Sequence, residues 1–264
     1  MGKIGLKFKK LLSQKNKALI PFFTAFYPSA ELFKEFLFRA DDGGADFIEV
    51  GIPFSDPLAD GKMIQYSSQS VLKSGFNFSQ FLEEISRLKS SLSAPLVLMS
   101  YFNPVLQRGI ENFSREMDEA NIQGVIIPDL SLEESRFLKE ELASYDIDLI
   151  YLVSPTTHSQ RIEQISRCSG GFIYLVSLTG VTGMREKLPS NLAQYISRVK
   201  KVTSKPLCVG FGISNPYQAR KVAEYADGII VGSALINIIK GREKGRGLSQ
   251  EVENFVKEIR KAIP

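Results

Sequence analysis

The sequence predicts a closed (β/α)8 barrel, the TIM barrel, with an extra N-terminal helix, and three observations predict it. Short apolar, β-branched or aromatic runs recur eight times along the chain. Amphipathic segments rich in Glu, Lys, Leu and Ala alternate with them. No linker, low-complexity stretch or charge block interrupts the series. Eight such units suit a single barrel domain over residues 1–264. A doubly wound open sheet is the alternative.

The elements follow in order. Met1 to Lys17 is basic and carries Leu6, Phe8, Leu11 and Leu12 at roughly helical spacing, which predicts a short helix docked on the barrel. A membrane-surface helix is the rival reading. The segment lacks the continuous apolar stretch of a signal peptide, and no later segment reaches transmembrane length, so the expected location is the cytoplasm. Strands are expected at Ala18–Phe26, Asp46–Ile52, Pro95–Tyr101, Gly124–Leu130, Asp148–Ser154, Gly171–Leu178, Pro206–Gly212 and Gly228–Ala234. Most of these runs are near-continuously apolar, as parallel strands covered on both faces require. Helices are expected at Ala30–Asp42, Phe78–Ser91, Ile110–Ala120, Leu132–Ser144, His158–Ser166, Leu192–Val202 and Pro216–Tyr225.

Composition narrows the function classes. A formal charge of +4, from 33 basic and 29 acidic residues interspersed, does not describe a nucleic-acid binder, which concentrates its cations on one face. A small anionic substrate suits the balance. Cys168 and Cys208 are too few for a disulfide framework or a zinc site and read as buried thiols in a reducing compartment. The sole histidine, His158, lies in a polar stretch and reads as a surface residue, so no metal site and no Ser–His pair is expected.

The informative residues stand where barrel strands end, which is where active sites of this fold lie. Glu49 sits inside the apolar run Phe47-Ile48-Glu49-Val50-Gly51-Ile52, and Asp60 follows eleven residues on in the next loop. A buried carboxylate holds its proton more tightly than usual, and two acids in different surroundings can divide acid and base roles. Asp56 before Pro57 reads chemically as a turn former, and Asp129 as a strand-end acid with a supporting role or none. The loops after strands six, seven and eight carry Thr179–Gly183, Gly210–Ser214 and Gly232-Ser233. Backbone N–H groups of such glycine loops, with a helix beginning after Gly232-Ser233, would cradle a phosphate. The alternative is that these glycines serve only tight turns.

The segment from Glu49 to Gly61, EVGIPFSDPLADG, resembles the signature of the tryptophan synthase α subunit family. Pro21–Ala25, Tyr101–Pro104, Gly180–Gly183, Gly210–Ser214 and Gly232–Ala234 match it in order and spacing, so the likeness spans about residues 5 to 240. The resemblance implies a lyase that cleaves indole-3-glycerol phosphate to indole and glyceraldehyde 3-phosphate by a retro-aldol reaction. It implies that Glu49 is the general acid/base and that Asp60 stabilises the indole nitrogen. Phe22, Met99, Ile126, Tyr174, Thr182 and Phe211 would bind substrate, Thr182 as part of a lid. Gly183, Gly212, Ile213, Gly232 and Ser233 would hold the phosphate. The resemblance further implies a pyridoxal-phosphate β subunit as partner in an α2β2 complex, with Asp56 at the interface and no cofactor on this chain.

Three residues depart from the family pattern: Phe26 where Gly is usual, and Lys62 and Ser131 where Pro is usual. They bear on the first loop, the Asp60 loop and the loop after strand four. Two rival functions stand beside the lyase. A subunit that only activates its partner has no need of Glu49, Asp60 and the phosphate loops. A sugar-phosphate epimerase or isomerase needs a metal site or a strand-end lysine instead.

Overall fold

The protein is described as a computed structural model covering residues 2–176, 190–210, 212–242 and 247–264. The chain opens with α1 (Lys3–Ser13), β1 (Ala18–Thr24), α2 (Ala30–Asp42) and β2 (Ile48–Gly51). Next come α3 (Lys62–Lys73), α4 (Phe78–Leu88), β3 (Leu96–Met99), α5 (Phe102–Arg108), α6 (Ile110–Glu119) and β4 (Ile122–Ile126). They are followed by α7 (Arg136–Ser144), β5 (Asp148–Val153), α8 (Ser159–Cys168), β6 (Ile173–Val176) and α9 (Leu192–Lys200). The last elements are β7 (Leu207–Gly210), α10 (Pro216–Ala223), β8 (Gly228–Val231), α11 (Ser233–Gly241) and α12 (Leu248–Ala262).

The eight strands pair in sequence order, all parallel, and β8 closes on β1 through Ala18↔Gly228 to Pro21↔Val231. The closed barrel holds, and the open sheet is excluded. Its strands are shorter than their apolar runs because the runs continue into the loops. β4 shows this most: it ends at Ile126, where Leu130 turns back to donate its N–H to the Ile127 carbonyl, and Pro128 has no N–H to extend the ladder.

Period-two alternation divides the apolar residues between two cores. Ile48, Val50, Leu96, Leu98, Leu149 and Val153 point outward and pack under the helices. Ala18, Ile20, Phe47, Val97, Ile126, Ile150, Phe172, Cys208 and Ile230 form a separate cluster with residues of α1. The N-terminal helix docks as expected, but through Ile4, Phe8 and Leu11, an i, i+4, i+7 stripe. Leu6 and Leu12 instead face outward, 56% and 37% exposed. Cys208 is buried, whereas Cys168 is only partly so, and both are free thiols.

Three helices escaped the sequence reading: α3, α5 and α12. The reason is plainest in α3, whose buried face is Ser67, Ser68 and Val71, with no apolar stripe to detect. The Ser67 and Thr24 hydroxyls hydrogen-bond at 2.6 Å and tie α3 to the end of β1. α12 buries Val252, Val256 and Ile259, and its Glu253 pairs with Arg39 of α2 at 2.9 Å. α7 begins at Arg136, later than expected, because Ser131 closes a turn with Glu134: its hydroxyl donates to the carboxylate at 2.6 Å and accepts the Glu134 N–H. None of the described helices is long and apolar enough to cross a membrane.

Candidate active site

Among the described residues, Glu49 is the one acid on an inward-facing strand position above the apolar cluster. It lies between Phe22 of β1 and Val97 of β3 in the strand register. The residue is fully buried, and neither carboxylate oxygen has a hydrogen-bond partner among the described residues. Burial without donors favours the neutral acid and lifts its pKa to about 8, with the nearby charge of Asp60 adding to the shift. Asp60 stands across from it on the loop after β2. Its pKa is raised to about 7, again chiefly by burial, while a hydrogen bond from the Tyr101 hydroxyl works the other way. Tyr174 of β6 faces both acids, and its hydroxyl is held well above its ordinary pKa by burial and by their charges.

Local hydrogen bonds hold the Asp60 loop in place. The Asp60 N–H donates to the Pro57 carbonyl at 3.0 Å, and the Gln65 side-chain amide donates to the Asp60 carbonyl at 2.9 Å. The Ala59 N–H donates to the Tyr101 hydroxyl at 3.0 Å. Lys62 fills the first position of α3 directly after Gly61, so its departure from proline leaves the helix start where it is. Phe26 takes a left-handed φ of 61°, a conformation that disfavours side chains other than glycine. Its ring is held edge-on by Phe33, Phe76 and Phe81, which stabilises the loop against that strain.

The two acids line one cleft at the C-terminal ends of the strands. Phe22, Met99, Ile126, Leu152, Tyr174 and Ile230 supply apolar and aromatic walls. Gly210 is required at this wall, because a Cβ there would stand 2.5 Å from the Tyr174 hydroxyl. At the other side of the cleft, Gly212, Gly232 and Ser233 present the backbone at the mouth. α11 starts at Ser233 with no side chain capping its first turn, so its positive end is directed to that side.

Most of the sequence-derived site thus converges. Glu49, Asp60, Phe22, Met99, Ile126, Tyr174, Gly212, Gly232 and Ser233 all line one cleft. Ile213 does not: its side chain is 1% exposed within the outer core, which leaves only its backbone for a ligand. Thr182, Gly183 and Phe211 lie outside the described residues. Asp56 sits apart on the exposed tip of the loop, where it accepts a hydrogen bond from the Ser55 hydroxyl at 2.5 Å, beside the 94% exposed Leu58. His158 is an exposed residue before α8, as expected. Sequence reasoning missed Leu152 and Ile230, which strand parity places on the inward face, and Ile64 of α3, for which no signal existed. It also missed the Tyr101 hydroxyl.

Comparison with known proteins decides the family. The family model described as "Tryptophan synthase alpha chain" matches residues 8–264. The chain belongs to the tryptophan synthase alpha chain family. The alpha chain of Picosynechococcus sp. is 42% identical over 264 residues, covering 100% of both chains. The alpha chain of Arabidopsis thaliana is 41% identical over 257 residues, covering 97% of this chain and 94% of that one. Among solved structures, the Mycobacterium tuberculosis tryptophan synthase superposes with a TM-score of 0.91 at 30% identity, covering 99% of this chain and 98% of that one. The alpha subunit from Legionella pneumophila gives 0.90 at 36% identity, with the same two coverages. As a member of this family, the protein is a lyase of L-tryptophan biosynthesis that cleaves indole-3-glycerol phosphate.

Proposed function

We propose that Glu49 moves the protons of this cleavage and that Asp60 steadies the charge on the indole nitrogen. The observation that carries the assignment is the difference between the two acids: Glu49 is fully buried with neither oxygen paired among the described residues, whereas Asp60 stands on a loop held at Ala59 by the Tyr101 hydroxyl, which favours its charge. Burial and the charge of Asp60 favour the proton on Glu49, and the Tyr101 hydroxyl favours charge on Asp60, so a single charge on the pair belongs to Asp60. Protonated Glu49 gives its proton to indole C3. Positive charge then develops on the ring nitrogen, and ionised Asp60, accepting the N–H, offsets it. The Glu49 carboxylate takes the proton of the side-chain hydroxyl, the C3–glycerol bond breaks with its electron pair returning to the ring, and an aldehyde and neutral indole leave. Glu49 ends protonated, so the proton count closes.

In this reading Phe22, Met99, Ile126, Tyr174 and Phe211 enclose the indole, and Thr182 belongs to a lid over it. The phosphate is held by the backbone of Gly183, Gly212, Ile213 and Gly232 with Ser233 at the start of α11. Alpha chains of tryptophan synthase work with a beta subunit. We place that partner on the Asp56–Leu58 tip, in an α2β2 heterotetramer, because an acid and a large apolar side chain are exposed together beside Asp60. Pyridoxal phosphate would reside on the beta subunit, since no lysine lines the described cleft to form a Schiff base. The cytoplasm is the compartment we assign, in keeping with two free cysteines.

The deciding experiment is a spectrophotometric assay of indole-3-glycerol phosphate cleavage by the full chain, alone and with a beta subunit, beside Glu49→Gln. Cleavage by the wild type that Glu49→Gln lacks is the expected result. Full activity in a folded Glu49→Gln protein would remove Glu49 from the mechanism.

A further inference from the structure

We propose that Tyr101 is the positioning residue of Asp60, holding both ends of the loop that carries it. The inference rests on the role given to Asp60 above. Tyr101 follows β3, is 4% exposed, and stands directly before α5. Its ring stacks on Phe54 at the start of the Asp60 loop, with centroids 4.8 Å apart and planes 19° from parallel. Its hydroxyl accepts the Ala59 N–H at the far end of the same loop, 3.0 Å away. One side chain therefore grips the loop at two points five residues apart.

Chemistry extends the grip to the carboxylate. A tyrosine hydroxyl has one proton to give, and here it accepts from Ala59, so that proton is free for an acceptor. The acceptor we assign to it is the carboxylate of Asp60, the residue next to Ala59. Tyr101 is itself fixed from the next strand: the Asp129 carboxylate accepts the Phe102 N–H at 2.9 and 3.2 Å. This gives Asp129 its supporting role.

The consequence is an asymmetry between the acids. Among the described residues, the titratable groups facing Asp60 are Glu49 of β2, Tyr174 of β6 and Tyr101 itself, with Asp129 behind Tyr101. Glu49 has no hydrogen-bond donor among the described residues, whereas Asp60 has the Tyr101 hydroxyl. Tyr101 thus favours charge on Asp60 and leaves the proton on Glu49.

Tyr101→Phe keeps the stack on Phe54 and removes only the hydroxyl, so the fold is retained. For indole-3-glycerol phosphate cleavage by the full chain, kcat should fall roughly tenfold with KM within about twofold. In the same variant the Asp60 carboxyl carbon, followed by NMR with labelled aspartate, should titrate at higher pH than in the wild type. Tyr101→Leu, which also loses the stack, should lower kcat further. Wild-type kcat together with an unmoved Asp60 titration in Tyr101→Phe would overturn the proposal. A moved titration supports the positioning role whether or not the wild-type chain cleaves the substrate, so the two readings fail separately.

Discussion

The two ends of the barrel interior are built from the same alternating strands and treat polar groups in opposite ways. At the N-terminal end, Phe8 of α1 enters between strands, stacking on Phe47 at 4.8 Å and meeting Phe172 at 5.5 Å. Ile4 fills the space beside Gly124, where a Cβ would stand only 2.4 Å from its Cδ1. The acid at this end, Asp148, has its pKa raised by burial while the nearby charge of Lys205 opposes the shift, and its Oδ2 has no hydrogen-bond partner among the described residues. At the C-terminal end Glu49 faces another acid, Asp60, in place of a cation, neither of its oxygens is paired among the described residues, and the space above it is a cleft rather than a plug. The lower half spends its side chains on packing. The upper half keeps an acid in an unfavourable setting, which raises its pKa to about 8.

This contrast predicts that changes at the top alter rate and changes at the bottom alter stability. The largest effect should come from Glu49→Gln, which should lower kcat by ~10²–10⁴-fold in the cleavage assay. The same variant sharpens the comparison through pH. The folded chain keeps the Glu49 proton up to about pH 8, whereas an ordinary carboxyl releases it near 4.5. Between those values the folded state binds the extra proton, so wild-type stability falls as pH rises through that window. Glu49→Gln has no such proton to lose. Its Tm at pH 9 should exceed the wild type's by roughly 5–10 °C, with the gap narrowing toward pH 5.

At the opposite end, Phe8→Ala should destabilise the chain by about 3–5 kcal/mol in urea titrations and leave KM unchanged while the protein stays folded. A changed KM without lost stability would break the division between the two halves. Gly210→Ala tests the upper wall: the added methyl group must displace the Tyr174 ring, and kcat/KM should drop by about tenfold with only a small stability change. The smallest effect is expected from Leu6→Lys. Leu6 lies on the same helix as Phe8 but faces out, so the urea midpoint should correspond to a change within about 0.5 kcal/mol.

Legibility in the sequence followed the strength of local pattern. Eight apolar runs were enough for the barrel, and an acid amid Phe47, Ile48, Val50 and Ile52 was enough to mark Glu49. α2 was legible to the residue because Ser29 caps it and Phe33, Phe36 and Leu37 repeat at helical spacing. α3 was not, because its buried face consists mainly of serines whose partners lie on other elements. Tyr101 and Asp129 read as strand-end residues of no special rank, since their value lies in contacts with Phe54, Ala59 and Phe102.

By itself the sequence determined the fold class and the family, and it singled out two acids, Glu49 and Asp60, at the end of the second strand. These depend on period, composition and motif, all carried by neighbours in the chain. Only the tertiary structure decided that Glu49 lacks a donor while Asp60 has one, that Ile213 turns into the outer core, and that α1 plugs the barrel with Phe8 rather than Leu6 or Leu12. The physical reason is common to all three. Burial and hydrogen bonding are set by groups brought together from distant strands, and no local pattern records which groups those will be.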